Sequence, residues 1–563
     1  MRPRTEAAAA LALSLLTGLF VLSACGPGRM LGNWQHPDVL ANQWVMRWVA
    51  EQVLSGGSLA HNALYYWPIG DDPLTNGNAM EGFSYLPFAA LLPWPEALSA
   101  WALWTLTLNG IAAYTLARVS GGGGVGGALA CVAVVSHPYL AGELSAGHFP
   151  QADLAWLLFA LAALLRLLDT RSWRWVLPTS LLASICGIFY WYHAIFLGIA
   201  GAVLVLERGL RARGRLPWLA LPTVLLASLL LVGPWLHTSL RAQVPGLGEA
   251  FPHPEALVAS LRWGLPFGVE GAYQQGRVAA LGLLPLALLG LRRGWGWLLI
   301  GLIAWSLGTA GWSYEALYGL AEPLRRFWWP YRHGALLLVA WAMLAARGVE
   351  RLPPWLGLTL ALSLPLQLHL TGDLARVKAS PLRPLQPPPI EGVVLDPPLF
   401  PGCAVNPALL VDQMILRQPT LTGHALWVDR VRPDAWDRFV VASPFLGSLQ
   451  RWERGGSGAI STEDLESLRA QGLRYLLVNP GNFARELSAQ AEGYRALGRA
   501  LGGAPLWSER GVELYEIQGI TGDVELPPVR WPAGLRPGGP TRPLQATAMP
   551  HPVFGEVLGG PTR

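Results

Sequence analysis

Apolar residues in this chain fall in runs longer than a strand or a buried helix of a soluble domain needs. The first run, residues 7–25, is long enough to cross a bilayer core, which takes about 20 residues. Further runs lie at 97–118, 123–142, 152–168, 174–190, 191–207, 216–237, 277–293, 294–311, 334–349 and 354–370, so the pattern predicts about eleven transmembrane helices. The stretch 174–207 admits two readings, one long bent helix or two short spans around Tyr190-Trp191-Tyr192-His193. Past Thr371 the pattern changes: a proline-rich hinge, 381–389, is followed by charged residues every few positions. Residues 392–395 and 474–478 read as short buried strands and 462–472 as a helix with a Ser/Thr start signal, which predicts a small α/β domain over 371–521. Proline and glycine dominate 522–563, and that tail is expected to be disordered. The resulting class is a polytopic α-helical membrane protein, residues 1–370, with a C-terminal extracytoplasmic α/β domain.

Composition agrees with the pattern, and charge orients it. Only 14% of residues are charged, against roughly 25% in soluble domains, which argues against a soluble multidomain enzyme. Arg118, then Arg166, Arg171 and Arg174, then Arg208, Arg211, Arg213 and Arg215, then Arg292 and Arg293, then Arg347 and Arg351 all fall in alternate loops, the bias expected of the cytoplasmic side. Arg2 and Arg4 put the N-terminus on that side as well. The longer loops, 26–96, 143–151, 238–276 and 312–333, then lie outside, and an odd span count places the C-terminal domain with them. Leu22-Ser23-Ala24-Cys25 also fits a lipoprotein cleavage signal, but the many later spans favour a retained first helix. The basic residues are dispersed, so the net charge of +5 gives no reason to invoke nucleic acid. Cys25, Cys131, Cys186 and Cys403 are too widely spaced for a readable disulfide framework or zinc site.

Candidate chemistry gathers on the external side. After the first helix comes His36-Pro37-Asp38, then a stretch whose Val39, Leu40, Trp44, Val45, Trp48, Val49 and Val53 suit an amphipathic helix lying in the membrane interface. Asp38 sits near its start, where a carboxylate also serves simply as an N-cap. Glu143 and His148 bracket the second external loop, and Asp153 lies just inside the next span. Ionisable groups at a membrane boundary suggest use, although both also suit a helix end that merely faces water. Tyr192 and His193 belong to an aromatic cluster that fits either a cavity or the interface. Arg325, Arg326, Arg332 and His333 flank Phe327-Trp328-Trp329-Pro330-Tyr331 in a loop predicted outside, against the general arginine bias. Guanidinium forks suit a phosphate and the aromatics suit an isoprenoid or a sugar face, with interfacial anchoring as the plainer account. Arg262-Trp263 and Tyr273-Gln274-Gln275 are further contacts for an acceptor.

A first membrane helix, an aspartate, a Trp-bearing juxtamembrane helix and then Tyr65-Tyr66-Trp67-Pro68-Ile69-Gly70 together resemble integral-membrane glycosyltransferases of the GT-C superfamily. Gly147-His148-Phe149-Pro150-Gln151 and Trp329-Pro330-Tyr331-Arg332, each before a span, extend the resemblance. Val393-Val394-Leu395-Asp396-Pro397-Pro398, 413–423 and 468–478 look like the soluble tail of bacterial members. The resemblance implies an inner-membrane enzyme that moves a sugar from a polyprenyl-phosphate carrier to a glycan, lipid or protein acceptor on the extracytoplasmic face. It implies that Asp38 is the acidic residue of the first loop, acting as general base in an inverting displacement or holding a divalent metal ion, and that Glu143 is the second acidic contributor. Arg332, His333 and Arg326 would take the donor phosphate; His36, His148, Asp153, Tyr192, His193 and Arg262 are the remaining pocket residues. Many members carry paired acidic residues in the first loop where this chain has Asp38 alone, so the metal is left open.

Other chemistries lack their motifs: the chain has no Walker loop, no Gly-x-Ser-x-Gly elbow and no His-Glu-x-x-His helix. The glycine run 121–127 has no following lysine and reads as a flexible turn or a close-packing patch rather than a phosphate cradle. Two alternatives to the transferase remain, a transporter or flippase of a lipid-linked or polysaccharide precursor, and a non-catalytic envelope assembly protein. A transporter would carry ionisable or helix-breaking residues near the midplane of several spans, whereas here the polar residues collect at one face.

Overall fold

The computed structural model describes residues 3–563 apart from 35–36, 71–78, 212–218, 242–267, 272–273, 278–282, 292, 307–333, 371–376, 400–403, 406–408, 422–432, 484–487, 521, 530, 532–541, 544–552 and 554–563. In chain order its helices are α1 (Pro3–Val21), α2 (Pro37–Ser55), α3 (Ala79–Ala89), α4 (Glu96–Val119), α5 (Gly124–Val135), α6 (Pro138–Ala146), α7 (Phe149–Ala152), α8 (Ala155–Thr170), α9 (Val176–Phe189), α10 (Trp191–Arg211) and α11 (Ala220–Arg241). Then come α12 (Leu283–Leu289), α13 (Arg293–Ser306), α14 (Gly334–Val349), α15 (Pro354–Leu370), α16 (Leu409–Leu416), α17 (Asp434–Ala442), α18 (Pro444–Glu453), α19 (Leu465–Ala470) and α20 (Ser488–Gly502). The chain divides into two compact units, residues 1–26 with 87–378, and residues 27–86 with 379–563.

The first unit is helical. Among the described residues three stretches, Gly124–Ala146, Phe149–Thr170 and Trp191–Gly209, are long and apolar enough to cross a membrane, and shorter apolar helices run over Thr5–Val21, Trp173–Phe189, Ala220–Gly233, Gly334–Val349 and Pro354–Leu364. Leucines 177, 181, 225, 226, 229 and 230 are exposed on α9 and α11, the surface a lipid-facing helix presents. The ambiguous stretch 174–207 contains two helices: Tyr190 takes an extended conformation (φ −153°, ψ 111°) that ends α9 before α10 begins. The expected external loop 143–151 is instead mostly helical and buried, because α6 continues to Ala146 and α7 follows at once. A hairpin, β2 (Gly268–Gly271) with β3 (Gln274–Arg277), sets its second strand beside α6.

The glycine run is a packing surface. A Cβ on Gly126 would lie 2.1 Å from the Ala346 carbonyl oxygen on α14, and the Gly126 N–H donates to Glu350 Oε1 at 2.6 Å. Close backbone approach of this kind is how apolar helices gain contact where no hydrophobic gradient separates them from lipid.

In the second unit residues 27–86 cluster with residues 379–563. β1 (Arg29–Leu31) pairs antiparallel with β4 (Ala379–Pro381), and the Gln43 amide donates to the Leu31 carbonyl at 2.7 Å. Trp44 and Trp48, expected at the bilayer interface, are buried inside this unit: the Trp44 indole N–H donates to Gln413 Oε1, and its ring stacks on Tyr65 at 4.1 Å. A buried tryptophan needs an acceptor for its N–H, and Gln413 on α16 supplies it. Tyr65-Tyr66-Trp67 is likewise a docking segment, with Trp67 N–H donating to the Thr420 carbonyl at 3.1 Å, Thr420 N–H to that of Leu64 at 3.0 Å, and Tyr66 packed edge-on to Trp436. Replacing Gln413 by leucine is expected to cost about 1–3 kcal/mol, the penalty of an unsatisfied buried donor. Adding Trp44→Phe should recover most of that loss, read as the denaturation midpoint of the single and double variants.

The core of this unit is a four-stranded sheet, β5 (Val393–Leu395), β8 (Leu473–Val478), β10 (Val512–Glu516) and β9 (Trp507–Glu509) in that spatial order. β5 and β8 run parallel while β10 is antiparallel to both its neighbours. Val394 also bridges Thr420, so all three C-terminal stretches that carry the family resemblance meet at this sheet. The start of the expected disordered tail is ordered: β11 (Val524–Glu525) pairs with β7 (Ala459–Ile460), and the Trp452 indole donates to the Pro527 carbonyl at 2.7 Å. Short apolar residues such as Val524 and Leu526 suffice to hold it, because each is buried against a strand already in place.

Candidate functional site

Polar groups of the first unit concentrate where α6, α7 and α8 meet. Ser136 and His137 interrupt the span, and His137 caps α6 by accepting the Tyr139 N–H on Nδ1 at 3.0 Å. At the other end Gly147 takes the left-handed conformation (φ 77°), which suits glycine, and folds the chain back so that His148 N–H donates to the Glu143 carbonyl at 2.8 Å. That turn brings the two side chains together: His148 Nδ1 lies 2.6 Å from Glu143 Oε2, and both residues are buried. Glu143 is 0% exposed, which argues against the alternative that this pair merely faces water at a helix end.

Asp153 closes α7 and is also buried. The Trp156 indole donates to its Oδ2 at 3.2 Å, and Trp156 packs on Phe189 with ring centroids 5.4 Å apart, which ties the start of α8 to the break between α9 and α10. At that break His193 is buried against Tyr190 and Phe196, and Tyr190 stacks on Tyr192. Asn109 of α4 donates its amide to the Ala152 carbonyl at 2.7 Å and so fixes the short turn before Asp153. Asp153 Oδ1, Gln151 Oε1, Asn109 Oδ1 and His193 Nε2 are buried and have no hydrogen-bond partner among the described residues. Each such atom costs roughly 1–3 kcal/mol, so four in an apolar bundle mark a region built for something other than packing.

Sequence reasoning missed Asn109 and gave Gln151 no role, though an amide in the middle of an apolar run is itself a signal. Asp38 lies in the second unit, in the first turn of α2 and half-buried. It is the second helical residue and not the cap itself, a place where a carboxylate is favoured by the helix dipole. His36, Arg262, Arg326, Arg332 and His333 lie outside the described residues. Among the described residues no group of three His, Cys, Asp or Glu side chains is arranged to hold a metal ion.

No protein-family model matches the chain, and no curated protein does. Among solved structures it is similar to the oligosaccharyltransferase of Archaeoglobus fulgidus. The form in complex with zinc and sulfate is 13% identical, with a TM-score of 0.44, over 90% of this chain and 73% of that one. The apo form is 10% identical with a TM-score of 0.41, over 87% of this chain and 71% of that one. The form tethered through a disulfide to an acceptor peptide containing the NVT sequon is 12% identical with a TM-score of 0.40, over 93% and 76%.

Proposed function

We propose that this chain is a multi-pass membrane glycosyltransferase of the GT-C type, which moves a sugar from a polyprenyl-phosphate carrier to an acceptor on the extracytoplasmic face of the inner membrane. The observation that carries the reading is the buried junction of α6, α7 and α8, where a carboxylate–imidazole pair, a second carboxylate and four polar atoms without a hydrogen-bond partner among the described residues interrupt an otherwise apolar bundle. Membrane helices hold ionisable groups at that expense where a polar substrate is to be handled. The family resemblance of the first loop and of 147–151 points the same way.

In this mechanism the acceptor hydroxyl attacks the anomeric carbon as the bond to the carrier phosphate breaks, with inversion. Asp38 takes the hydroxyl proton. Glu143, held in one orientation by His148, is the second acidic group, and its charge favours the oxocarbenium character that develops on the sugar. Arg332, with Arg326 and His333, meets the departing phosphate by bidentate hydrogen bonding. No step is routed through a metal.

The test is release of free polyprenyl phosphate from a panel of polyprenyl-phosphate sugars by purified protein in lipid, with membrane extract as acceptor source. Release by the wild type that falls about 100-fold or more in Asp38→Asn, at unchanged thermal stability, is the expected result. Equal release by both proteins would remove Asp38 from the mechanism, and release by neither would favour the transporter.

A further inference from the structure

Asp153 is a buried acid that no step of the proposed transfer uses. It directly follows α7, is 4% exposed, and lies within the apolar stretch Phe149–Thr170. The Trp156 indole donates to Oδ2 at 3.2 Å and the Ala155 backbone N–H also bonds the carboxyl, while Oδ1 is buried with no partner among the described residues. No Lys, Arg or His is paired with it among them either. A carboxylate in such surroundings ordinarily has a cation beside it, because an uncompensated buried charge is costly.

Two more oxygens in the same condition belong to the same turn. Asn109 of α4 donates its amide to the Ala152 carbonyl at 2.7 Å, which fixes the orientation of the group, since turning it over would set oxygen against oxygen. Its Oδ1 is therefore an acceptor, and it is buried with no donor among the described residues. Gln151, the residue before Ala152, buries Oε1 in the same way. The Asn109 and Trp156 N–H groups are already engaged, so what this turn has to spare is oxygen. A sugar hydroxyl gives one hydrogen bond and brings lone pairs that need donors of their own, and a water molecule supplies no charge. An ammonium group brings three donors, positive charge and no lone pair. Three acceptor oxygens, one of them anionic, match the ammonium.

We propose that Asp153, Asn109 and Gln151 bind a primary ammonium group, and that the group is the free amine of the sugar being moved. The source of the amine rests on the transferase reading; its charge rests on the oxygens. Asp153 Oδ1 forms the ion pair, and Asn109 Oδ1 and Gln151 Oε1 accept the two remaining N–H bonds. The arrangement selects among sugars by what it leaves unpaired. An N-acetylated amine loses the charge and brings a carbonyl that meets only acceptors, and a neutral sugar leaves the carboxylate uncompensated. Sites with buried polar groups reject analogues that fail to pair them far more strongly than apolar pockets reject a change of size.

The experiment measures equilibrium binding to the full-length protein in phosphatidylcholine vesicles. The probes are radiolabelled polyprenyl phosphates bearing glucose, an amino sugar with its amine on the second, third or fourth carbon, or the N-acetylated form of each amino sugar. One free-amine donor should bind about tenfold or more tighter than its N-acetylated form and than the glucose form. Asp153→Asn keeps an oxygen for Trp156 and Ala155 but removes the charge, and should abolish that preference. Gln151→Leu should reduce it about threefold or more, so failure of one variant to fold leaves the other to decide. Binding is read apart from transfer, which separates the two claims. Amine preference without release of polyprenyl phosphate would keep the site and remove the transferase, whereas release with equal affinity for amino, acetylated and neutral donors would keep the transferase and overturn the site. A preference undiminished in Asp153→Asn also overturns it. So does a preference lost when phosphatidylethanolamine, which carries the same ammonium group, replaces half of the phosphatidylcholine, since the lipid is then the occupant.

Discussion

Replacing Glu143 by glutamine is expected to lower sugar transfer by about 100- to 10,000-fold, the usual range for removal of one acid–base or charge-stabilising group, while leaving the protein folded. Glutamine has the shape of glutamate and keeps an oxygen to accept from His148 Nδ1, now 2.6 Å from Glu143 Oε2, so the Gly147 turn and its hydrogen bonds can persist. What is lost is the negative charge. If Glu143 serves only to satisfy His148 inside the bundle, the variant should instead work as the wild type does and melt at the same temperature. His148→Asn gives the complementary reading: it removes the ring that orients the carboxylate without removing the charge, so transfer should fall less than in Glu143→Gln. A larger loss in His148→Asn than in Glu143→Gln would assign the chemistry to the imidazole. Transfer is followed as released polyprenyl phosphate, and far-UV ellipticity with Tm checks the fold of each variant.

The membrane class was legible in the sequence because a bilayer imposes a local requirement, a run of apolar residues, that any window of the chain displays on its own. The Glu143–His148 contact is short-range, five residues apart through the Gly147 turn, yet the sequence pattern reads the stretch as an external loop and does not show the pairing. What ties residues 27–86 to residues 379–563 is long-range and so not displayed by any window of the sequence. The partner of Trp44 is 369 residues away, and β1 is a three-residue strand whose only sign is its pairing with β4. Trp44 and Trp48 fit an interfacial helix and a buried one equally well by spacing, since both environments bury the ring and satisfy the N–H. The hydrogen bonds that Asn479 and Asn482 give to Asp412 and Asp396 were invisible for a related reason: Asn479 lies 67 residues from Asp412, and Asn482 lies 86 from Asp396. A sheet had to be assembled before Asp-Pro-Pro after one strand and Asn-x-x-Asn after another could be seen to meet.

Gly348→Ala should disrupt the first unit more than any other single methyl added to it. Helix α14 is gripped on one side by α12, where a Cβ on Gly348 would stand 1.7 Å from the Leu286 carbonyl oxygen and one on Gly290 would stand 1.8 Å from that of Leu344. Both obstacles are backbone, which cannot rotate aside as a side chain does, so the helices must separate. Separation on that side loosens the other, because α14 also meets α5 through Gly126 and the carbonyl of Ala346. Overpacking usually costs about 1–3 kcal/mol, and Gly348→Ala is expected at or above the top of that range because two helix contacts are lost together. The comparison that isolates packing is Gly198→Ala on α10, where a Cβ meets nothing within 4 Å. There alanine should be neutral or slightly stabilising, as the better helix former by about 1 kcal/mol. Thermal unfolding in detergent should therefore lower Tm strongly for Gly348→Ala and leave or raise it for Gly198→Ala. Equal midpoints would mean that α12 and α14 do not pack backbone to backbone, and the close-packed account of this bundle would fall with them.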